Sequence, residues 1–196
     1  MADTVRAFIA IELKVETIAF IQKFQDGLRS YGLKARWITP ENIHLTLKFL
    51  GDINNQDVKK AGDALISATG ENAAIRLRAK GIGIFPGVKR PRIIWAGTAG
   101  QTKELLNLQK ILDEKLQTFG FPKEKRPFKG HLTIARIKKK IDAKRLIDAM
   151  KEFSRFESKT FMVDEVVLFK SELKPSGAVY TKLMSSALAT SVFDKK

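Results

Sequence analysis

Apolar and polar residues alternate in several short segments of the chain, and stretches with helical spacing separate these segments. Strict alternation predicts half-buried strands, whereas apolar residues three or four apart predict amphipathic helices. Glycine marks the predicted helix ends, and Asn54 or Asn55 can cap a helix start. The predicted elements of the first half are a strand at 6–13, a helix ending at Gly32, a strand at 42–50, a helix ending at Gly70, and strands at 74–80, 81–85 and 92–98.

The second half repeats this order. A helix from Thr102 to Gly120 precedes a strand at 129–137, and Asp142 can cap a further helix. Strands at 159–163, 165–169 and 178–183 follow, the last after a turn at 175–177. Matching landmarks recur 84 to 87 residues apart: Arg6 and Arg92, His44 and His131, Phe85 and Phe169. We therefore predict an α+β fold built as a two-lobed pseudo-twofold duplication, with antiparallel sheets lining a central groove and helices on the outer faces. Residues 1–196 are expected to form a single domain of two interlocked lobes.

The net charge and the composition of the chain exclude some classes of protein but do not identify a function. The 196 residues include 36 Lys and Arg against 21 Asp and Glu, a formal charge of +15 that favours polyanionic partners such as nucleic acid. The basic clusters at 89–92, 123–126 and 138–140 fall in predicted loops, where charge runs are usually only solvated. Cysteine is absent, which excludes disulfides and thiolate chemistry. No secretion signal or membrane-span pattern is evident, so we expect a cytoplasmic protein, a monomer, without metal or other cofactor.

The only two histidines of the chain open matching segments, His44-Leu45-Thr46 and His131-Leu132-Thr133. A single histidine is more often structural than catalytic, but two in the same context favour a pair of proton carriers. Strand alternation predicts that His44, Thr46 and Lys48 share a polar face opposite a core face. Duplication would bring both polar faces to one groove.

Two imidazoles and two hydroxyls around one centre suit displacement at phosphorus. One imidazole can take a proton from the nucleophile while the other gives one to the leaving group. Each threonine hydroxyl can donate to a non-bridging oxygen, where charge lies in the transition state. Because one ring must begin neutral and the other charged, a bell-shaped pH profile is expected. The chain has neither the Gly-x-Ser-x-Gly of acyl transfer nor an ATP-binding loop.

The chain resembles the 2H phosphoesterase superfamily, and within it the RNA 2',3'-cyclic phosphodiesterases, also called 2'-5' RNA ligases. The segments that carry the resemblance are RAFIAIEL, ENIHLTLKFLG, GIGIFP, RIIWAG, RPFKGHLTIARIK and LFKSELKPSGAVY. The resemblance implies hydrolysis of RNA 2',3'-cyclic phosphate ends, for example on tRNA fragments, to 2'-phosphates without metal or ATP, with 2'-5' ligation as the reverse reaction. It also implies roles for six residues: His44 as proton donor, His131 as proton acceptor, Thr46 and Thr133 on phosphate oxygens, Phe49 stacking a base and Arg136 contacting phosphate.

Two questions stay open at this stage. Simple alternation turns Phe49 and Arg136 away from the histidine face, so Phe49 could be core packing and Arg136 a surface charge unless the strands bulge. The whole protein could also be a non-catalytic RNA-binding module, or a phosphodiesterase for a small cyclic nucleotide.

Overall fold

The computed structural model describes residues 4–175 and 177–189 and contains four helices and nine strands within these ranges. The strands are β1 (Thr4–Glu12), β2 (Arg36–Trp37), β3 (His44–Asn54), β4 (Ile75–Phe85), β5 (Ile93–Gly100), β6 (His131–Arg136), β7 (Phe161–Val163), β8 (Glu165–Lys174) and β9 (Gly177–Ala187). The helices are α1 (Val15–Ser30), α2 (Asn55–Gly70), α3 (Thr102–Thr118) and α4 (Ala143–Glu152), with 3-10 turns at Pro40–Asn42 and Phe153–Arg155.

All nine strands join in one sheet with the order β7-β4-β5-β6-β3-β1-β8-β9, and β2 pairs with β6 at the side. Every pairing between these strands is antiparallel. The order is symmetric about the β3–β6 junction, where the equivalent strands of the two repeats meet. The α+β fold with its antiparallel sheet is therefore confirmed, and the two halves of the sheet form one continuous surface.

A strand from near the end of each repeat lies in the other half of the sheet. β4 belongs to the first repeat but pairs with β5 of the second, and β8 belongs to the second but pairs with β1 of the first. Each half of the sheet is thus completed by a strand from the other repeat. This exchange ties the two repeats together along the chain.

The helix signals read from the sequence are confirmed at most ends. The Asn54 side chain accepts a hydrogen bond from the Asp57 backbone at 2.9 Å, and Asp142 accepts from the backbones of Lys144 and Arg145. Gly32 and Gly120 follow α1 and α3 with positive φ, a conformation that glycine adopts without a Cβ clash. Among the described residues, no helix is long and apolar enough to cross a membrane.

Several predicted boundaries change: β3 reaches Asn54 rather than residue 50, and β8 reaches Lys174 rather than residue 169. Segments 74–80 and 81–85 form the single strand β4, because the register shift between Lys80 and Ile82 absorbs Gly81 as a bulge with φ +67°. The predicted strand at 178–183 is longer, reaching Ala187. Of the predicted turn at 175–177, Ser176 lies outside the described residues.

Candidate functional site

The two His-x-Thr segments lie side by side in the middle of the sheet. Leu45 of β3 pairs with Leu132 of β6, and both leucines are fully buried. Because antiparallel partners run in opposite directions, this register sets His44 beside Thr133 and His131 beside Thr46. All four side chains are half-buried and lie on the face opposite the buried leucines. The pseudo-twofold axis thus passes between the motifs.

The same backbone contact holds both imidazole rings. Nδ1 of His44 lies 2.8 Å from the carbonyl oxygen of Asn42, and Nδ1 of His131 lies 2.7 Å from that of Lys129. A carbonyl oxygen can only accept, so Nδ1 must be the donor in both rings. In a neutral ring this leaves Nε2 without a proton and able to take one up. Both rings can therefore take up a proton at Nε2.

A bulge follows each threonine and changes the face of the residues after it. The β1–β3 register shifts between Ile9 and Ala10, so that Leu47 is the extra residue, and the β5–β6 register shifts in the same way at Ile134. The prediction that Lys48 shares the histidine face is therefore wrong. Lys48 points into the core instead, and Phe49 returns to the histidine side.

Lys48 makes a buried ion pair on the core side of the bulge. Its Nζ lies 2.5 Å from Oδ1 of Asp113 on α3 and 2.7 Å from the carbonyl oxygen of Pro122. The Asp113 carboxylate also accepts the backbone N–H of Glu124. Both charged side chains are at most 8% exposed. The pair joins β3 to α3 and to the loop that follows α3.

Phe49 and Arg136 lie at opposite ends of the site. The Phe49 side chain is 66% exposed, with its ring 6.0 Å from the Phe8 ring, so it is not core packing. The exposed Arg136 acts electrostatically on both His44 and His131, whose pKa values its charge helps to lower. The bulges thus bring both residues to the face from which simple alternation had excluded them.

An aromatic cluster encloses His44. Its ring stacks on Phe8 at 4.7 Å and meets the edge of Tyr180 at 5.3 Å, and Phe169 lies behind Phe8. Burial lowers the pKa of His44 to about 4, against the Asn42 hydrogen bond and with help from the charges of Arg136 and His131. The free protein therefore holds this ring neutral at pH 7.

The surroundings of His131 are different. Its ring meets Phe85 at 5.1 Å and Trp95 at 6.1 Å, and the ammonium of Lys129 lies 4.5 Å above the Trp95 ring. Burial lowers the pKa of His131 as well, followed by the charges of Lys129 and Arg136. Tyr180 contacts the His44 ring, whereas the His131 ring lies beside Trp95 and Lys129.

Sequence reasoning missed the residues that enclose the rings. Phe8, Trp95 and Tyr180 lie in strand-like segments whose partners the sequence does not specify, whereas strand alternation does place Lys129 on the face of His131. One signal was available in the sequence: Phe8 and Trp95 lie in the matching repeat segments that begin at Arg6 and Arg92. Within the described residues, no group of three or more His, Asp or Glu could hold a metal ion.

Comparisons with known proteins agree with this geometry. The LigT like Phosphoesterase family matches residues 11–95 and 97–180. A Methanocaldococcus jannaschii protein named RNA 2',3'-cyclic phosphodiesterase is 33% identical over 89% of this chain and 96% of its own length. An Aquifex aeolicus protein of the same name is 33% identical over 90% of this chain and 94% of its own.

Solved structures share the fold. A Thermus thermophilus protein superposes with a TM-score of 0.77 at 25% identity, covering 94% of this chain and 98% of its own. Escherichia coli LigT complexed with 3'-AMP superposes with a TM-score of 0.72 at 22% identity, covering 96% of this chain and all of that one. At that identity the second likeness speaks for the fold alone.

Proposed function

Because the chain belongs to the LigT-like phosphoesterase family, we propose that it hydrolyses the 2',3'-cyclic phosphate at the end of an RNA chain to a 2'-phosphate. The observation that carries the proposal is the pairing of the two His-x-Thr segments across Leu45 and Leu132. It gives one phosphorus atom a proton carrier and a hydroxyl donor on each side. RNA as substrate is supported by the names of the relatives and by the +15 charge.

The reaction needs one proton to be removed and one to be delivered. Water attacks phosphorus as Nε2 of His131 takes its proton, and the bond from phosphorus to the ribose O3' breaks as His44 protonates that oxygen. One water is added, leaving a 2'-phosphomonoester and a 3'-hydroxyl. Thr46 and Thr133 donate to the two non-bridging oxygens. With a 5'-hydroxyl in place of water as the nucleophile, the same steps form a 2'-5' link and release the 3'-hydroxyl.

Substrate binding lets the site take up from solvent the proton that it lacks when free. The lowered pKa values keep both rings neutral at pH 7. A phosphodiester anion between the rings favours the charged form of an imidazole, so binding raises the pKa of the donor. A ring that holds its proton only beside the anion then releases it readily to the leaving oxygen. The depressed pKa of His44 fits the donor role in this sense.

The test is turnover of an oligonucleotide that ends in a 2',3'-cyclic phosphate, in EDTA and without added nucleotide. We expect a 2'-phosphate end, identified by ³¹P NMR and by resistance to a 3'-specific phosphatase. Intact cyclic ends with folded protein would overturn the proposal, and salt-sensitive binding without turnover would identify an RNA-binding module. Turnover of mononucleotides alone would identify a small-molecule phosphodiesterase.

A further inference from the structure

We propose that Arg36 and Arg136 together bind a second phosphate, the 5'-phosphate of the nucleotide whose cyclic phosphate is cleaved. The proposal rests on the proposed function and adds a reason for preferring an RNA chain to a nucleoside cyclic phosphate. An RNA end always carries this second phosphate, because it links the last nucleotide to the one before it.

Backbone pairing places the two guanidinium groups on the same face. Arg36 of β2 is the direct partner of Arg136 of β6, and directly opposed residues in an antiparallel ladder point to the same side. The neighbouring Trp37 points the other way, since Arg29 of α1 lies over its ring at 5.3 Å. Alternation therefore turns Arg36 away from the helices, toward the histidine face.

The Arg36 side chain is directed to the edge of the groove. A Cβ atom on Gly177, at the start of β9, would come within 3.2 Å of its Nη2. Asn42, whose carbonyl holds His44, donates its side-chain amide to the carbonyl of Ala178 in the same hairpin at 2.9 Å. Arg36 thus lies between β6 and the hairpin formed by β8 and β9, which also carries Tyr180 against His44.

Two positive charges face each other there without a counter-ion. Among the described residues, neither Arg36 nor Arg136 makes an ion pair, and both are exposed. Like charges directly opposed across a ladder are destabilising. A phosphate between them removes the repulsion, and each guanidinium can donate two parallel hydrogen bonds to it.

Ribose geometry assigns this phosphate to the 5' side. The base leaves the ribose at C1', next to C2', and the 5' arm leaves at C4', next to C3', so the two flank a 2',3'-cyclic phosphate. Phe49 and Arg136 lie at opposite ends of the site, because β3 and β6 run antiparallel through it. A base on Phe49 therefore directs the 5' arm to the arginine end.

The decisive experiment compares two substrates in two proteins. Adenosine 2',3'-cyclic phosphate and its 5'-phosphorylated form are given to the wild type and to Arg36→Gln. The control of equal charge change is Arg155→Gln, in the 3-10 turn whose Phe153 packs on Phe24 of α1. We expect the wild type to favour the 5'-phosphorylated substrate in kcat/KM by about 10-fold, and Arg36→Gln to lose that preference. Equal loss on both substrates, or no loss, would overturn the proposal.

A binding measurement separates this proposal from the catalytic one. Titration calorimetry with adenosine 2'-phosphate and adenosine 2',5'-bisphosphate needs no turnover. Arg36→Gln should weaken the bisphosphate by about 10-fold and leave the monophosphate within about twofold of the wild type. If the protein hydrolyses neither substrate yet shows this pattern, the second phosphate site stands and the proposed reaction falls. If the ratio of the two dissociation constants is the same in the wild type and in Arg36→Gln, the site does not exist.

Discussion

The two halves of the site share their motif but not their surroundings. Each contains His-x-Thr at the start of a strand, a carbonyl two residues earlier that holds Nδ1, and a bulge after the threonine. Around His44 the side chains are Phe8, Phe169 and Tyr180, whereas His131 has Phe85, Trp95 and Lys129 around it. The repeat thus fixes where the two rings lie, and residues outside the motif make them chemically unequal.

The bulges differ in the same way. Lys48 follows the first bulge and is held by Asp113, whereas the residue at the matching place of the second is the fully buried Ala135. One half anchors its bulge with a buried charge and the other with close packing. A duplicated fold can therefore keep its geometry twofold while each copy acquires its own energetics.

Removing Nε2 from either ring is expected to have the largest effect. Asparagine reproduces the Nδ1 donor of histidine but has no second nitrogen, so His44→Asn and His131→Asn keep the carbonyl contact and lose the proton carrier. Each should lower kcat by about 10²–10⁴-fold. Rates are measured on the cyclic-phosphate oligonucleotide, with circular dichroism as the folding control.

The two variants also separate the halves. Loss of the base removes the acid limb of the pH profile of kcat, and loss of the acid removes the basic limb. A near-normal rate in either variant would remove that ring from the mechanism. Identical pH profiles would mean that the different surroundings do not divide the roles.

Breaking the anchor of the first bulge is expected to be next in size. Lys48→Met leaves the Asp113 carboxylate buried without its cation, which costs about 3–5 kcal/mol of unfolding free energy. Lys110→Met, which removes the exposed pair with Glu114 at 3.9 Å, should cost well under about 1 kcal/mol. Urea denaturation of both variants measures the difference. Equal, small losses would show that the first bulge needs no anchor.

These bulges mark the limit of what the sequence could predict. Helix ends, strand segments and the duplication were predicted because glycines, Asn54 and Asp142 act locally and apolar periods are regular. The pairing of the two motifs follows from the symmetry of the repeat. A bulge is decided by register against a strand far along the chain, so alternation alone misplaced Lys48 and left Phe49 undecided. The aromatic surroundings depend on β8 and β9 for the same reason.

Acid should destabilise the protein through His44. An unfolded histidine takes up a proton near pH 6.5, whereas the pKa of His44 in the fold is about 4. Its contribution is fully present above pH 6.5 and is lost as the pH falls through this window to about 4, by about 3 kcal/mol. Urea denaturation from pH 7 to 4 should therefore show a steeper loss in the wild type than in His44→Asn. Parallel curves would mean that His44 is not held neutral.

The smallest expected effect concerns Phe49. It lies five residues after His44, and Arg136 has the same place after His131. An exposed ring at the end of the site can stack the base of the last nucleotide, an interaction of about 1–3 kcal/mol. Phe49→Leu should raise KM by about 5-fold or more with little change in kcat, whereas Phe49→Tyr keeps a stacking face and should stay near the wild type. Phe119→Leu, an exposed ring at the end of α3, is the matched control. Because the side chain is 66% exposed, unfolding free energy should fall by less than about 1 kcal/mol. A large loss of stability with unchanged KM would return Phe49 to a packing role, and only Arg136 would then distinguish the ends of the site.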